Sequence, residues 1–321
     1  MSRTHEGLVV ASHGRHCVVE QADGTRLICH PRGKKAQAVV GDRVQWQAPP
    51  PGQGDEGTVE RVLPRRNLFY RQDEVRSKSF AANIDQVLVL IAAEPVFSES
   101  QLTRALIACE AAGIPALIGL NKSDLVEPFA RAWERLWPYR HMGGDGAAAH
   151  HYPVLPLSLT QSGETDRAVL APLLAGRATL VLGPSGAGKS TLVNLLVPQA
   201  GAQTGEISQA LNSGRHTTTS TQWYWVDEAR TTALIDSPGF QEFGLRHLAP
   251  TDLARCMPDI AAHAGDCRFY NCTHLHEPGC AVLARVREVP ESGAARDAEA
   301  ISAQRHRIYA ELFEELGQSR Y

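Results

Sequence analysis

Long hydrophobic runs are missing from this 321-residue chain. The longest strongly apolar stretch, Val87 to Ala93, is far too short for a bilayer-spanning helix, which needs about 20 residues. Met1 to Val10 lacks the hydrophobic segment of a secretory signal. These absences exclude a helical membrane protein, so a cytoplasmic location with no membrane partner is expected. A large excess of charge is missing too. Net charge is −3, with 43% hydrophobic and 21% charged residues, the balance of an ordinary globular chain. The imbalance is uneven: residues 1–80 hold 13 Lys and Arg against 9 Asp and Glu, which is +4 and leaves −7 for the remainder. A polyanion is therefore expected to face the N-terminal quarter. Cysteine is sparse, and of the seven only Cys267, Cys272 and Cys280 lie close together. In a cytosolic chain that clustering points to metal before disulfide.

What is present centres on Gly183-Pro184-Ser185-Gly186-Ala187-Gly188-Lys189-Ser190, a G-x-x-x-x-G-K-S sequence. It follows the strand formers Ala178 to Leu182 and precedes an apolar-periodic helix from Thr191 to Leu196. That context defines a phosphate-binding loop. Its glycines let backbone N–H groups converge on phosphate oxygens, Lys189 reaches the outer phosphates, and Ser190 can ligate magnesium. The wording up to Thr191 would suit a transporter ATPase or a nucleoside-monophosphate kinase equally well. No L-S-G-G-Q occurs, however, and two further motifs select guanine.

The first is Asp236-Ser237-Pro238-Gly239, after the strand Thr231 to Ile235. A D-x-P-G there would hold magnesium through water at Asp236 and sense the γ-phosphate at the Gly239 N–H. The second is Asn121-Lys122-Ser123-Asp124, after the strand Ala116 to Leu120. Asp124 can accept from the guanine N1–H and exocyclic amine, a donor pair adenine lacks, while Asn121 bonds the base edge and the Lys122 stem covers its face. Here N-K-x-D and Ser158, at the end of the strand Pro153 to Leu157, precede the phosphate loop, the reverse of the familiar GTPase order. Sheet position rather than chain order sets such a site, so a circular permutation leaves it intact. The glutamine that usually follows D-x-x-G is missing, and Phe240 stands there. Intrinsic hydrolysis should be slow unless another group orients water. His216, beside Thr217 to Thr219, is the candidate, with Thr218 as the threonine closing over the γ-phosphate and magnesium.

Around this core the chain reads as several domains. Residues 1–66 contain five short strands and suggest a small barrel, of the oligonucleotide-binding (OB) type or an SH3-like alternative. Residues 67–82 form a connector within a basic run, Arg61, Arg65, Arg66, Arg71, Arg76 and Lys78, interleaved with Phe69, Tyr70 and Phe80. Such a mixture either stacks and neutralises RNA or is a solvated linker. Residues 83–244 read as the α/β nucleotide domain. In residues 245–321 the cluster of Cys267, Cys272 and Cys280 with His274 fits a closed Cys₃His zinc site, His276 remaining an alternative ligand. Ile301, Ile308, Leu312, Phe313 and Leu316 then mark a helical packing face.

The whole set resembles the RsgA family of circularly permuted GTPases. The match runs through Ala81 to Gln86, Asn121 to Asp124, the phosphate loop, Gly214 to Thr219, Asp236 to Phe240, Glu242 to Leu245 and the cysteine cluster. The resemblance implies a multidomain chain: an N-terminal OB-type β-barrel, a central circularly permuted α/β P-loop GTPase domain and a C-terminal α-helical zinc-binding domain. It implies GTP with Mg²⁺ as the nucleotide and one structural Zn²⁺ on Cys267, Cys272, His274 and Cys280. It also implies the small ribosomal subunit and its rRNA as partner, with hydrolysis stimulated by that subunit during its late maturation. A monomer is expected, and His216 matches a histidine proposed to help hydrolysis. Pro184, where a glutamine is more usual, and the glycine-rich loop His141 to His151 depart from the pattern. The competing reading is a zinc-containing RNA-binding protein with a mainly structural GTP site.

Overall fold

The alternating apolar text of the N-terminal quarter closes into a barrel in the computed structural model, which describes residues 4–33, 37–49, 52, 54–142, 151–200, 220–288, 297 and 299–318. Its strands are β1 (Thr4–Ser12), β2 (Cys17–Glu20), β3 (Arg26–Pro31), β4 (Arg43–Gln47) and β5 (Gly57–Val62). β1 runs antiparallel to β4 over Thr4 to Leu8 and to β2 over Leu8 to Ser12, with a register shift between Val9 and Ala11. A bulge of that kind bends a strand, which lets β1 serve both sides of the closure. β2 pairs with β3, β3 runs parallel to β5, and β5 returns to β4. This five-stranded closure is of the OB type. Val9, Val19, Val44 and Val59 fill its interior with Cys17, Cys29 and Trp46, each aliphatic side chain contributing about 1.5–3 kcal/mol over exposure.

Next come a hairpin of β6 (Leu68–Gln72) and β7 (Ser77–Ala82), then β8 (Gln86–Ala92), β9 (Ala116–Asn121), β10 (Val154–Pro156), β11 (Ala178–Leu182), β12 (Gln222–Trp225) and β13 (Ala233–Asp236). The hairpin corrects one expectation. Phe69 and Phe80 are buried against each other, ring centroids 5.9 Å apart, so they are core rather than free stacking platforms. Part of the basic run is spent internally as well. Arg65 forks onto Asp42 at 2.7 and 2.8 Å, and Arg66 bonds Asp85 at 2.7 Å. Arg76 and Lys78 remain exposed.

Contacts divide the chain into two compact units, residues 1–70, 78–90 and 158–240, and residues 71–77, 91–157 and 241–321. In the first, β11 lies between two parallel neighbours, with Leu180 opposite Val87 of β8 and Ile235 of β13. All five β11 residues are buried, as an apolar strand covered on both faces requires. β12 runs antiparallel to β13, and its Gln222 also bridges to Ala11 of β1. The helices Gly163–Leu174 and Lys189–Leu196 belong to the same unit.

The second unit holds the parallel pair β9 and β10 and the helix Glu99–Ala112, whose first turn is capped by the Ser98 hydroxyl accepting from the Gln101 N–H at 3.3 Å. C-terminal helices Pro258–Ala264, Ala281–Arg285 and Ala303–Gly317 complete it. Ile308, Tyr309 and Leu312 face inward from the last of these, as its spacing predicts. None of the described helices is long and apolar enough to cross a membrane.

One charge is built into this core. The Arg305 guanidinium, 2% exposed, donates to both oxygens of Asp259 at 2.5 and 2.8 Å and stacks 4.8 Å from the Tyr139 ring centroid. Removing one partner of a buried pair strands the other charge, which costs about 3–5 kcal/mol. Asp259→Ala should therefore release helix Ala303–Gly317 locally, seen as a loss of amide protection in native-state hydrogen exchange. Unchanged protection would mean that apolar packing alone holds the helix.

Candidate functional site

β11 ends where the glycine pattern begins. A Cβ on Gly183 would fall onto the Leu90 carbonyl of β8, so no side chain fits there. Gly186 and Gly188 take φ of 80° and 105°, values that side-chain-bearing residues rarely adopt, and Gly188 caps the helix Lys189–Leu196. The loop thus delivers a helix N-terminus and its free N–H groups to the carboxyl end of a buried strand. Lys189 folds back over the loop, its Nζ donating to the carbonyls of Gly183 at 2.9 Å and Pro184 at 3.0 Å. Burial lowers the pKa of this amine, and the Asp236 carboxylate opposes that shift. Ser185 and Ser190 are exposed, Ala187 is buried, and Thr191 is half-buried.

The D-S-P-G turn lies against this loop. Asp236 closes β13 level with Val181, two residues before Gly183, and is 6% exposed. The Ser237 hydroxyl donates to the Val181 carbonyl at 2.7 Å, tying the turn to β11. A Cβ built on Gly239 would stand 3.2 Å from Lys189 Nζ and 3.4 Å from the Ser185 nitrogen. Gly183, Ser185, Lys189, Asp236 and Gly239 are thereby brought together. Phe240, next in the chain, is buried. Ser158 is buried in the same unit, its N–H donating to Asp166 Oδ2 at 2.7 Å. Burial raises the pKa of Asp166 and the Ser158 N–H opposes the shift. His216 and Thr218 lie outside the described residues, as does most of the His141 to His151 loop.

Asn121, Lys122 and Asp124 belong to the second unit, at the carboxyl end of β9. Asn121 is 5% exposed, and its carbonyl accepts from the Ala93 N–H at 3.0 Å. Lys122 turns the chain with a left-handed φ of 68° and donates from Nζ to the Glu94 carbonyl at 2.5 Å. The Ser123 N–H donates to the Leu157 carbonyl at 2.9 Å. These bonds hold the turn so that Asp124 faces outward, exposed.

A second centre lies further along this unit. The ligand atoms of Cys267, Cys272, His274 and Cys280 all lie within 4.8 Å of one another, a set able to hold a metal ion. His274 rather than His276 supplies the nitrogen. Its Nδ1 is 3.5 Å from Cys267 Sγ and 3.6 Å from Cys280 Sγ, and the two sulfurs are 3.8 Å apart. Glu277, which sequence reading passes over, organises this loop: its carboxylate accepts from the Thr273 N–H at 2.8 Å, the Thr273 hydroxyl at 2.5 Å and the Leu275 and His276 N–H groups at 3.3 Å. Its only signal in the sequence is an acid placed among turn residues four positions after Thr273. The last helix grips the loop from outside, with Tyr309 donating to the Thr273 carbonyl at 2.9 Å and His306 Nε2 to the His274 carbonyl at 2.8 Å.

Known proteins are similar to this chain along its length. A profile of the RsgA GTPase family matches residues 62–246. The chain is 70% identical over 317 residues to the small ribosomal subunit biogenesis GTPase RsgA of Variovorax paradoxus (strain S110), covering 99% of this chain and 94% of that one. It is 50% identical over 314 residues to the protein of the same name from Burkholderia pseudomallei (strain K96243), covering 98% and 93%. Among solved structures, YjeQ from Thermotoga maritima superposes with a TM-score of 0.68 at 26% identity, covering 99% of this chain and all of that one. YloQ, a circularly permuted GTPase, gives 0.67 at 25% identity, covering 99% and 98%. With the phosphate loop, the D-S-P-G turn laid upon it, and N-K-S-D ahead of both in the chain, this protein belongs to the RsgA family of circularly permuted GTPases.

Proposed function

We propose that this protein hydrolyses GTP to GDP and phosphate as a switch on the small ribosomal subunit, late in that subunit's assembly, and that turnover is fast only in that complex. The observation that carries the reading is the placement of Gly239 beside Lys189 and Ser185, because a γ-phosphate held by the loop would bear directly on the turn. The printed names of the two relatives supply the partner. We take the protein to act as a cytoplasmic monomer, with the barrel and the exposed Arg76 and Lys78 facing rRNA.

Each residue then has a task. Backbone N–H groups from Gly183 through Pro184, Ser185, Gly186, Ala187 and Gly188 to Ser190 and Thr191 cradle the phosphates. Lys189 exchanges its two carbonyl partners for phosphate oxygens, which offsets the burial of its charge. Asn121, Lys122, Asp124 and Ser158 recognise guanine, with Asp124 accepting from N1–H and the exocyclic amine. Magnesium fits the donor set of Ser190 Oγ and, through water, Asp236, where it would neutralise charge between the β- and γ-phosphates. Thr218 closes over the γ-phosphate, and His216 orients water in place of the missing glutamine.

Zinc fits the cysteine cluster on geometric grounds. With Zn–S of about 2.3 Å and Zn–N of about 2.0 Å, a tetrahedron has S···S edges near 3.8 Å and S···N edges near 3.5 Å. Cys267 and Cys280 have sulfurs 3.8 Å apart and lie 3.5 and 3.6 Å from His274 Nδ1, matching three of those edges, and Cys272 completes a set whose atoms all lie within 4.8 Å. One structural zinc per chain would hold together a loop that has few apolar residues of its own.

One observation favours a second reading, a zinc-containing RNA-binding protein whose GTP site is structural. A buried phenylalanine stands where water would be oriented. Steady-state hydrolysis separates the two. GTP turnover that is slow alone and rises about a hundredfold or more with small subunits, but not with large subunits or with ATP as substrate, is expected of the switch. Turnover unmoved by any partner would favour the structural site. Asp124→Asn should weaken GTP binding by about 1.5–3 kcal/mol and gain xanthosine triphosphate, measured by titration with both nucleotides. Cys272→Ser should lower bound zinc well below one per chain in elemental analysis, and retention of the metal would refute the ligand set.

A further inference from the structure

We infer that Asp166 is a positioning residue for guanine recognition: its buried carboxylate fixes the turn at Ser158 that is to meet the base. This rests on the GTP reading above, which assigns Ser158 to guanine, and adds a residue outside every motif on which that turn depends. Asp166 lies in the first turn of the helix Gly163–Leu174 and is 6% exposed. Its Oδ2 accepts the Ser158 N–H at 2.7 Å, reaching back 8 residues. A buried carboxylate is costly unless it is hydrogen-bonded, and a helix N-terminus favours negative charge. The position therefore suits a carboxylate acceptor.

The rest of the turn is closed by its own main chain. The Ser158 carbonyl accepts from the Gln161 N–H at 3.0 Å and the Ser162 N–H at 2.7 Å, and the Ser162 carbonyl accepts from the Asp166 N–H at 2.9 Å. Ser158 thus commits both its N–H and its carbonyl within residues 158–166. What it can offer a base is its hydroxyl, held where those bonds put it. The bond to Asp166 is the one side-chain member of this set, and a charge-assisted bond is the stronger kind. Without it, the buried Ser158 N–H loses its carboxylate acceptor and the turn loses the contact that orients its first peptide.

The helix that carries Asp166 also ties the turn to the phosphate loop, inside one compact unit. Gly163, its first residue, lies against the helix Lys189–Leu196 that follows the phosphate loop, and a Cβ there would stand 3.1 Å from Leu195 Cδ1. Leu170 and Leu174 are buried further along. Packing thus sets where this helix begins, and Asp166 in its first turn sets where Ser158 stands. A nucleotide held at its phosphates gains from base-reading groups that are already in place, because binding then spends less on ordering them. Since Asp166 acts through Ser158 and not on the phosphates, its removal weakens binding and leaves the hydrolytic step alone.

The test compares Asp166→Ala and Asp166→Asn with the wild type, all full length and zinc-replete. Asp166→Ala should weaken GTP and GDP binding about tenfold, the loss of one hydrogen bond to a charged group, with kcat at saturating GTP within about twofold. Hydrogen exchange should quicken at the Ser158, Gln161 and Ser162 amides while β11 and the helix Lys189–Leu196 keep their protection. Asparagine retains a side-chain oxygen for the Ser158 N–H, so Asp166→Asn should bind GTP within about threefold of wild type. Unchanged GTP affinity in an Asp166→Ala protein whose Ser158 amide has lost protection overturns the inference. So does an asparagine variant as weak as the alanine one, and so does a parallel loss of kcat and β11 protection, the mark of a merely structural role. Should Asp166→Ala fail to fold, Asp166→Asn and the wild type without nucleotide decide, and a wild-type Ser158 amide exchanging like that of an unstructured chain overturns the inference. A wild type that binds ATP as tightly as GTP overturns the guanine reading itself.

Discussion

The close approach of β11 to β8 at Gly183 is the constraint on which the rest of the nucleotide site depends. A main chain that must pass a neighbouring carbonyl without a Cβ leaves its strand at one place only, and the loop that follows inherits that position. The parallel registers with β8 and β13 carry the placement outward. Leu182 lies opposite Val89, and Val181 opposite Asp236, so the carboxylate ends its strand at the level where the loop begins. Ser237 then bonds back to Val181, which ties the D-S-P-G turn to the strand that leads into the loop. Electrostatics follows packing. Lys189 is buried enough for its charge to be disfavoured, Asp236 opposes that, and two carbonyls solvate the ammonium in the meantime. A polyanion arriving there finds a cation already desolvated, and a desolvated charge binds more strongly than one that must first shed water.

The C-terminal part solves a different problem. Its loops between Cys267 and Cys280 bury little apolar surface, so their conformation must come from ligands and hydrogen bonds. Glu277 satisfies several backbone donors inside the loop, while Tyr309 and His306 reach its carbonyls from the last helix. That helix is itself secured by the buried Arg305 to Asp259 pair and by Arg104 to Glu315 at 3.1 Å. The metal-ligand geometry, the loop and the helix are therefore one cooperative unit, in which the ion pair contributes orientation more than stability.

What could be read from the sequence divides along physical lines. The phosphate loop is legible because its glycines answer to local backbone geometry, and positive φ at Gly186 and Gly188 needs no knowledge of distant residues. The cysteine cluster is legible for the same reason, its spacing being short enough to close on itself, although the choice of His274 over His276 waits on a left-handed turn with φ of 62° that spacing does not encode. The barrel is legible as a run of short strands. Its OB closure is not, since the bend in β1 and the parallel pairing of β3 with β5 are decided by packing. The rings of the connector mislead because composition cannot say which face of a hairpin they occupy, and Phe69 and Phe80 occupy the buried one. Gly244 carries no signal of its own. Only the approach of Gln72, more than 170 residues earlier in the chain, explains it.

That last contact gives the permuted order a mechanical meaning. When a nucleotide fold begins at its phosphate loop, the segments leaving the sensing motifs run into the body of the same domain. In this chain the N-terminal residues come first and supply strands with which those segments pair. The strand entered after Thr219 meets one of them, Gln222 bridging to Ala11, and the segment leaving Gly239 meets another, Leu245 bridging to Gln72. Both exits from the proposed nucleotide sensor are thus completed by β-pairing with residues from the N-terminal quarter. Backbone pairing is directional and register-specific, so each bridge fixes the register of the segment it holds. The permuted order thus gives each of these segments a strand partner that comes earlier in the chain.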